Sequence, residues 1–237
     1  MKKKGIYAIF SNVDGVRMTE KDYLDLDLIA KDCNLFDASD VNCVIQKIQA
    51  LDEIYEHENL VKIYNYFLSV SKNPEILMNV IQCADRIRDK ASLSALLDLL
   101  LMKNIDDEKD LFINVRAMCA KAIANLKDTS AVTPLLYCLN NKDENYKVRL
   151  ACADALGRIG DRYAVAPLIE VVKDEEEKSV YLRETAASAL GMLGDLRAVD
   201  PLVSILETQK GIWNKFTFLK ERVIEALGKL RLDDNER

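Results

Sequence analysis

The sequence predicts an all-α solenoid of about six helix pairs, and three observations carry that prediction. The 237-residue chain has a helical composition, with 49% hydrophobic residues, only eight glycines, four prolines and few aromatic residues. A motif rich in alanine and leucine recurs four times in the second half of the chain. A proline-containing motif recurs beside it, and its prolines are 33 and then 34 residues apart.

The first motif predicts the second helix of each repeat, which we name helix B. Its copies are RAMCAKAIANLKD from Arg116, RLACADALGRIGD from Arg149, RETAASALGMLGD from Arg183 and KERVIEALGKLR from Lys220. Small residues such as Ala155 and Gly157 allow neighbouring helices to approach closely. Gly160 and Gly194 end two of the copies, where a helix C-terminus favours a positive φ.

The second motif predicts the first helix of each repeat, which we name helix A. Pro134, Pro167 and Pro201 lie near the first turn of segments with helical apolar spacing, where the missing N–H of proline costs nothing. A polar loop, such as residues 140–145, joins helix A to helix B. A single helix pair cannot cover its own apolar surface, so successive pairs are expected to stack.

A weaker register continues upstream and divides one continuous array into three parts. Residues 1–18 are predicted to form an irregular leader, residues 19–109 degenerate helix pairs, and residues 110–237 regular repeats with a C-terminal cap. Within the degenerate part, helical apolar spacing predicts helices over residues 23–30, 41–55, 60–68, 77–87 and 93–100.

These motifs resemble HEAT repeats, and specifically the short bacterial type first described in phycobilisome (bilin) lyases. The resemblance is strong over residues 110–232 and weaker over residues 40–109. It implies a right-handed α-α superhelix. The period of 34 residues also occurs in tetratricopeptide repeats, but their W-x-x-L-G-x-x-Y signature is absent, as is the T-P-L-H motif of ankyrin repeats.

The resemblance also implies a structural ladder of charged residues along the stack. HEAT units pair an acidic residue of the A–B loop with an arginine six residues later. The spacing is kept by Asp110 with Arg116, Asp143 with Arg149, and Glu177 with Arg183. The last repeat has Asn214 and Lys220 instead, so the ladder is expected to end there. We interpret these charges as part of the scaffold.

The composition argues against several kinds of chemistry. A formal net charge of -6 opposes binding to nucleic acids and anionic membranes. The six cysteines include no C-x-x-C pair, which indicates reduced thiols and a cytoplasmic protein. No apolar run approaches the roughly 18 residues of a membrane span. The single histidine, His57, leaves no constellation for a metal site or a catalytic triad, so no metal, cofactor or catalytic residue is predicted.

The resemblance implies that the B helices line a concave face, where a partner would bind. Aligning the repeats gives three columns of variable positions on these helices: Ala117, Leu150, Glu184 and Glu221; Lys121, Asp154, Ser188 and Glu225; Asn125, Arg158, Met192 and Lys229. From these columns the candidate partner-binding residues are Lys121, Leu150, Asp154, Arg158, Glu184, Ser188, Met192, Glu221 and Glu225. Trp213, the only tryptophan, lies in the unusually long last A–B loop and is a further candidate.

The leading hypothesis is a non-enzymatic scaffold or adaptor that binds a protein of unknown identity. Mixed charge along the three columns suits a protein partner better than a nucleic acid, which would require a continuous basic stripe. Two alternatives stay open: a bilin lyase or chromophore chaperone, which the repeat type alone suggests, and a nucleic-acid-binding protein. The oligomeric state does not follow from the sequence.

Overall fold

A computed structural model describes residues 24–102, 112–208 and 217–235, and these ranges contain twelve α-helices and no strand. The helices are α1 (Leu26–Asp32), α2 (Val41–Ile54), α3 (His57–Val70), α4 (Pro74–Ile87), α5 (Leu93–Leu101), α6 (Ile113–Leu126), α7 (Val132–Asn140), α8 (Tyr146–Ile159), α9 (Val165–Lys173), α10 (Val180–Leu193), α11 (Val199–Thr208) and α12 (Thr217–Asn235). The predicted leader, residues 1–18, lies outside the described residues.

The helices stack as successive pairs, which confirms the predicted solenoid. The odd-numbered helices are the A helices and the even-numbered helices are the B helices. Each of α4, α6, α8, α10 and α12 packs on the A helix that precedes it. The B helices from α2 to α12 also pack side by side in order, and four pairs of A helices do so too: α1 with α3, α3 with α5, α5 with α7, and α9 with α11. One continuous apolar core runs between the two layers.

From α4 onward, a short 3-10 turn joins helix B of one repeat to helix A of the next, and an aspartate caps each turn. The carboxylates of Asp89, Asp128, Asp161 and Asp195 accept a hydrogen bond from the N–H two residues later, at 2.9, 3.0, 2.8 and 3.0 Å. Such local side-chain bonds favour a turn over continued helix. The recurring aspartate therefore sets the corner between repeats.

The last of these caps predicts a pH-dependent stability. Arg197 donates to both carboxylate oxygens of Asp195, at 2.9 and 2.8 Å, and this lowers the pKa of Asp195 to about 2. A depressed pKa stabilises the fold above the unfolded-state value of about 3.9, and this stability is lost as the pH falls toward the folded-state value. In urea titrations, we expect D195N to be less stable than the wild type at neutral pH. The difference in unfolding free energy should narrow as the pH falls below about 5.

The control for this prediction removes the cation and keeps the cap. R197M leaves Asp195 bonded to the N–H of residue 197 but takes away the guanidinium. The difference in unfolding free energy between R197M and the double variant R197M/D195N should therefore depend much less on pH. The difference in unfolding free energy between D195N and the wild type could instead stay constant from neutral pH into the acid range. That result would contradict the lowered pKa of Asp195.

The ends of the B helices follow the predicted glycine pattern only in the later repeats. Gly160 and Gly194 have φ angles of +84° and +64°, as predicted. Lys127 and Arg88 hold the corresponding positions of α6 and α4, and their φ angles are also positive, at 49° and 56°. A side chain in this left-handed conformation is strained, at about 1–2 kcal/mol per residue. The earlier repeats therefore adopt the same turn without the residue that favours it.

Candidate partner-binding face

The three predicted columns lie on one side of the B helices, which we name the B-helix face. Helices α6, α8 and α10 each contain 14 residues and are packed in register, so equivalent positions line up from one helix to the next. Positions four residues apart share a side of a helix. None of the twelve column positions is buried. The columns therefore form a surface that a partner can reach.

A chain of hydrogen bonds crosses three helices along the third column. Asn125 Nδ2 on α6 donates to Asp85 Oδ1 on α4 at 2.6 Å. Arg158 Nη2 on α8 donates to Asn125 Oδ1, and Arg158 Nη1 lies 3.7 Å from Asp154 Oδ2. These polar groups are therefore held in place before any partner arrives. Sequence alignment missed Asp85, because α4 lies upstream of the copies that align clearly.

The C-terminal part of the face carries an exposed surface that we name the aromatic-acidic patch: Tyr181, Glu184, Phe218 and Glu221. Tyr181 and Phe218 are 67% and 68% exposed and occupy the same position of α10 and α12. Glu184 and Glu221 follow them by three residues, which places them on the same side of each helix. Burial raises the pKa of Glu184 above its ordinary value. The patch thus combines aromatic surface with carboxylates.

Sequence reasoning did not bring this patch together. Neither Tyr181 nor Phe218 belongs to the three predicted columns. A fourth column, three residues before the first one, contains Asn114, Lys147, Tyr181 and Phe218. Alignment of that column would have shown aromatic residues confined to the last two repeats.

The remaining candidate on α12, Glu225, is already bonded within its own helix. Arg222 Nη1 and Lys229 Nζ donate to its two carboxylate oxygens at 2.7 and 2.9 Å. The bond from Lys229, followed by the bond from Arg222, lowers the pKa of Glu225. Glu225 is therefore a less available carboxylate than Glu221.

Close packing between the B helices keeps the columns side by side. A Cβ added to Gly157 on α8 would lie 2.8 Å from the Cα of Ala189 on α10 and 2.8 Å from the Cε of Met192. A Cβ on Gly191 would lie 2.8 Å from the Cα of Ala226 on α12. The small residues therefore allow neighbouring backbones to approach as predicted. Met192, a candidate residue on α10, lies over Gly157 of the preceding B helix, α8.

At Arg149 the structural ladder has a different pairing from the one predicted. Arg116 Nη2 lies 2.8 Å from Glu144 Oε1, and Arg149 Nη1 lies 2.7 Å from Glu177 Oε2. Each arginine thus pairs with an acid 28 residues later, across the boundary to the next repeat. The prediction that Asp143 pairs with Arg149 is wrong, since Glu144 is the ladder residue of that loop and it pairs with Arg116.

The cause of this pairing is the carbonyl at the end of helix A. Arg149 Nε donates to the carbonyl of Leu139 at 2.9 Å, and Arg183 Nε donates to that of Val172 at 3.0 Å. This bond fixes the guanidinium at the end of its own helix A. In Arg149, the terminal nitrogen Nη1 then reaches the next repeat, where it donates to Glu177 Oε2. Two predicted residues, Asp110 and Trp213, lie outside the described residues.

The residues considered for chemistry have ordinary structural surroundings. His57 begins α3, and its Nε2 lies 3.0 Å from Asp89 Oδ2 in the next repeat. Within the described ranges, no three His, Cys, Asp or Glu side chains form a group that would hold a metal ion. None of the six cysteines forms a disulfide, and burial raises the pKa of the Cys33 thiol to about 11. None of the described helices has the length and hydrophobicity of a membrane span.

Comparison with known structures finds matches of low structural similarity. Twenty-two chains match. Human deoxyhypusine hydroxylase in complex with glycerol matches with a TM-score of 0.39 and 10% identity, over 87% of this chain and 96% of its own. A chain of the complex of CpcE and CpcF of phycocyanin lyase from Nostoc sp. PCC7120 matches with a TM-score of 0.37 and 16% identity, over 92% and 99%. Neither likeness is close enough to carry an argument about activity.

The sequence comparisons identify the repeats themselves. No curated protein sequence matches this chain. The family model described as HEAT repeats matches residues 108–180 and again residues 142–217. These ranges span the helices from α6 to α11, where the repeat motifs and the stacked pairs are most regular. Residues 108–217 of the chain are therefore HEAT repeats.

Proposed function

We propose that this chain is a non-enzymatic scaffold that binds a protein partner through the B-helix face. The observation that carries the proposal is the aromatic-acidic patch on α10 and α12. Aromatic side chains are enriched among the residues that contribute most to protein interfaces. Tyr181 and Phe218 leave about two-thirds of their surface in water, at equivalent positions on adjacent helices. A partner would remove that apolar surface from water.

The carboxylates of the patch indicate the chemistry of the partner. Glu184 is partly buried and carries a raised pKa, so a cation placed beside it would favour its charged form. Lysine or arginine side chains also interact favourably with the faces of tyrosine and phenylalanine rings. The patch therefore fits a segment that presents basic and apolar side chains together, such as an amphipathic basic helix.

The same charges argue against a nucleic acid as the partner. Glu184, Glu221 and Glu225 place three carboxylates on the C-terminal part of the face. Phosphate binding requires cations that neutralise the backbone. Upstream, Arg158 and Lys121 are exposed, but Arg158 is bonded to Asn125 and lies close to Asp154. The face as a whole offers mixed charge, which suits a protein.

The test compares capture of partners by matched variants of the whole chain. Tagged wild-type protein, a patch variant with Y181S, E184K and F218S, and a control variant with Y137S and Y163S are each used to capture proteins from a lysate of the native cells. Tyr137 and Tyr163 are also well exposed but lie on α7 and on a 3-10 turn. We expect one stoichiometric protein to be retained by the wild type and the control. Its recovery should fall at least about thirtyfold with the patch variant.

Several outcomes would contradict the proposal. A partner that the patch variant retains would bind elsewhere on the array. Loss of capture by the control to the same extent would show that the effect is not specific to the patch. A co-purifying chromophore or nucleic acid, with no protein partner, would replace the scaffold by one of the two alternative functions. Circular dichroism of each variant confirms that it is folded.

We also propose that the protein works in the cytoplasm. The six cysteines, none of which forms a disulfide, support this location, because thiols persist in reducing compartments. Detection of the tagged protein in fractionated cells tests this location. Recovery of the protein in an extracellular fraction would contradict it.

A further inference from the structure

The C-terminal end of the array has an apolar surface with no neighbour in the described part of the chain. We name it the end face, and it consists of Val199, Val203 and Leu206 on α11 with Ile224, Leu227 and Gly228 on α12. Ile224 is 60% exposed and Val203 37% exposed. Val199, Leu206 and Leu227 are partly exposed. An exposed apolar patch at the end of a helix stack is a candidate contact site.

Equivalent residues of the preceding repeats show what normally covers this surface. Ala153 and Ala187 hold the position of Ile224, and both are completely buried. Leu156 and Leu190 hold the position of Leu227 and are completely buried as well. In each case the next B helix lies against them. The end face is thus equivalent to the surface on which one B helix stacks against the next. Among the described residues, no further helix covers it.

Glycine contacts give the same result. Gly191 approaches Ala226 of the next B helix so closely that an added Cβ would lie 2.8 Å from its Cα. Gly228 holds the same position on α12, and an added Cβ there would meet nothing within 4 Å. A glycine in the middle of a helix lowers its stability. Gly228 therefore lowers the stability of α12 without allowing a close helix contact among the described residues. A neighbour packed closely on Gly228 would account for the glycine.

Another repeat stacked in the same way does not fit this surface. Ala120, Ala153 and Ala187 provide a small side chain where α12 has Ile224. The fully buried alanines leave no room for three additional carbon atoms in that stacking geometry. The occupant must instead offer a recess that receives isoleucine.

Among the described residues, the opposite end of the array offers no such recess for a head-to-tail contact. Lys47 on α2 holds the position of Cys119 and Cys152, both of which are buried. Its Nζ donates to the carbonyl of Asp32 at 2.9 Å, beside α1. The first repeat is therefore closed by a charged residue and by the preceding helix. End-to-start assembly of two copies would place this polar end on the apolar end face.

We propose that the end face binds the end face of a second copy of this chain, with the two α12 helices antiparallel about a two-fold axis. Ile224 and Gly228 lie one helical turn apart on the same side of α12. In this arrangement, Ile224 of each copy lies on Gly228 of the partner subunit. A two-fold axis forms both contacts at once and closes the assembly at two subunits. The apolar residues of α11 lie around this central pair.

The test is sedimentation velocity of the full chain over a wide range of concentration. The wild type is expected to sediment as a dimer that dissociates on dilution. I224R should weaken dimerisation at least about thirtyfold, because it places a charge in the centre of the contact. G228L should do the same, because its side chain fills the recess that receives Ile224. Y163R, which changes an exposed residue far from the end face, should leave the dimer unchanged.

G228L keeps the test independent of folding. The space around Gly228 is open in the single chain, and leucine favours a helix more than glycine does. The thermal midpoint of a monomeric G228L should therefore equal or exceed that of dissociated wild-type protein. A wild type that stays monomeric at every concentration would overturn the proposal, as would a dimer that persists in both I224R and G228L. Polymers larger than a dimer that both variants disperse would overturn the two-fold arrangement, because they would indicate a head-to-tail contact.

Discussion

Replacing Arg149 with methionine is expected to lower the free energy of unfolding by about 3–5 kcal/mol. Arg149 and Glu177 form an ion pair across a repeat boundary, and both side chains are only 7% exposed. Without the guanidinium, the Glu177 carboxylate would stay buried without its cation, and the carbonyl of Leu139 would lose its donor. An unpaired buried charge is among the most destabilising changes in a protein. Urea denaturation followed by circular dichroism measures the loss.

A double variant separates the cost of an unpaired charge from a general loss of packing. Combining R149M with E177L removes both charges and fills the site with apolar atoms. Replacement of a complete buried pair in this way is often close to neutral. The double variant should therefore recover most of the stability that R149M loses. If it is as unstable as R149M, the ion pair is not the source of the effect.

A methyl group added at Gly157 is expected to cost about 1–3 kcal/mol. The new Cβ of G157A would lie 2.8 Å from the Cα of Ala189, which belongs to the backbone of the next B helix and cannot rotate away. The two helices must separate, and the core between them must follow. Urea denaturation of G157A against the wild type measures this cost.

The same array contains the matched control for that substitution. Gly228 occupies the equivalent position of α12, but no atom lies within 4 Å of its added Cβ. In monomeric protein, at concentrations below those at which the proposed dimer forms, G228A should therefore stabilise the helix by up to about 1 kcal/mol, because alanine favours a helix more than glycine. Opposite signs at two aligned glycines would locate the cost in the helix contact. Destabilisation by both substitutions would show that the effect is not one of helix approach.

The positions of most helices could be predicted from local signals in the sequence. Pro134, Pro167 and Pro201 lie in the first turns of α7, α9 and α11, and Gly160 and Gly194 follow the last residues of α8 and α10. These residues act through their own backbone preferences, so their positions are sufficient to indicate where a helix begins or ends.

The remaining features depend on contacts between repeats, which local spacing does not encode. Asp143 and Glu144 are adjacent in the sequence, and only the position of Arg116 makes Glu144 the ladder residue. Lys127 takes a positive φ, although its residue type does not favour one. The candidate columns could be aligned from the sequence. The bond from Arg158 to Asn125 depends on two helices that lie 33 residues apart in the chain.

The arginine ladder has a consequence for how the array responds to a partner. Each ion pair joins one repeat only to the next, so the solenoid behaves as a row of elements with nearest-neighbour coupling. Loss of the contacts at one repeat boundary can then separate the repeats on its two sides while each side stays folded. A partner that lies along α8, α10 and α12 would contact repeats that do not contact one another. Such a partner would hold several repeats in one arrangement. Its binding free energy would add to the free energy needed to bend the solenoid or to open a repeat boundary.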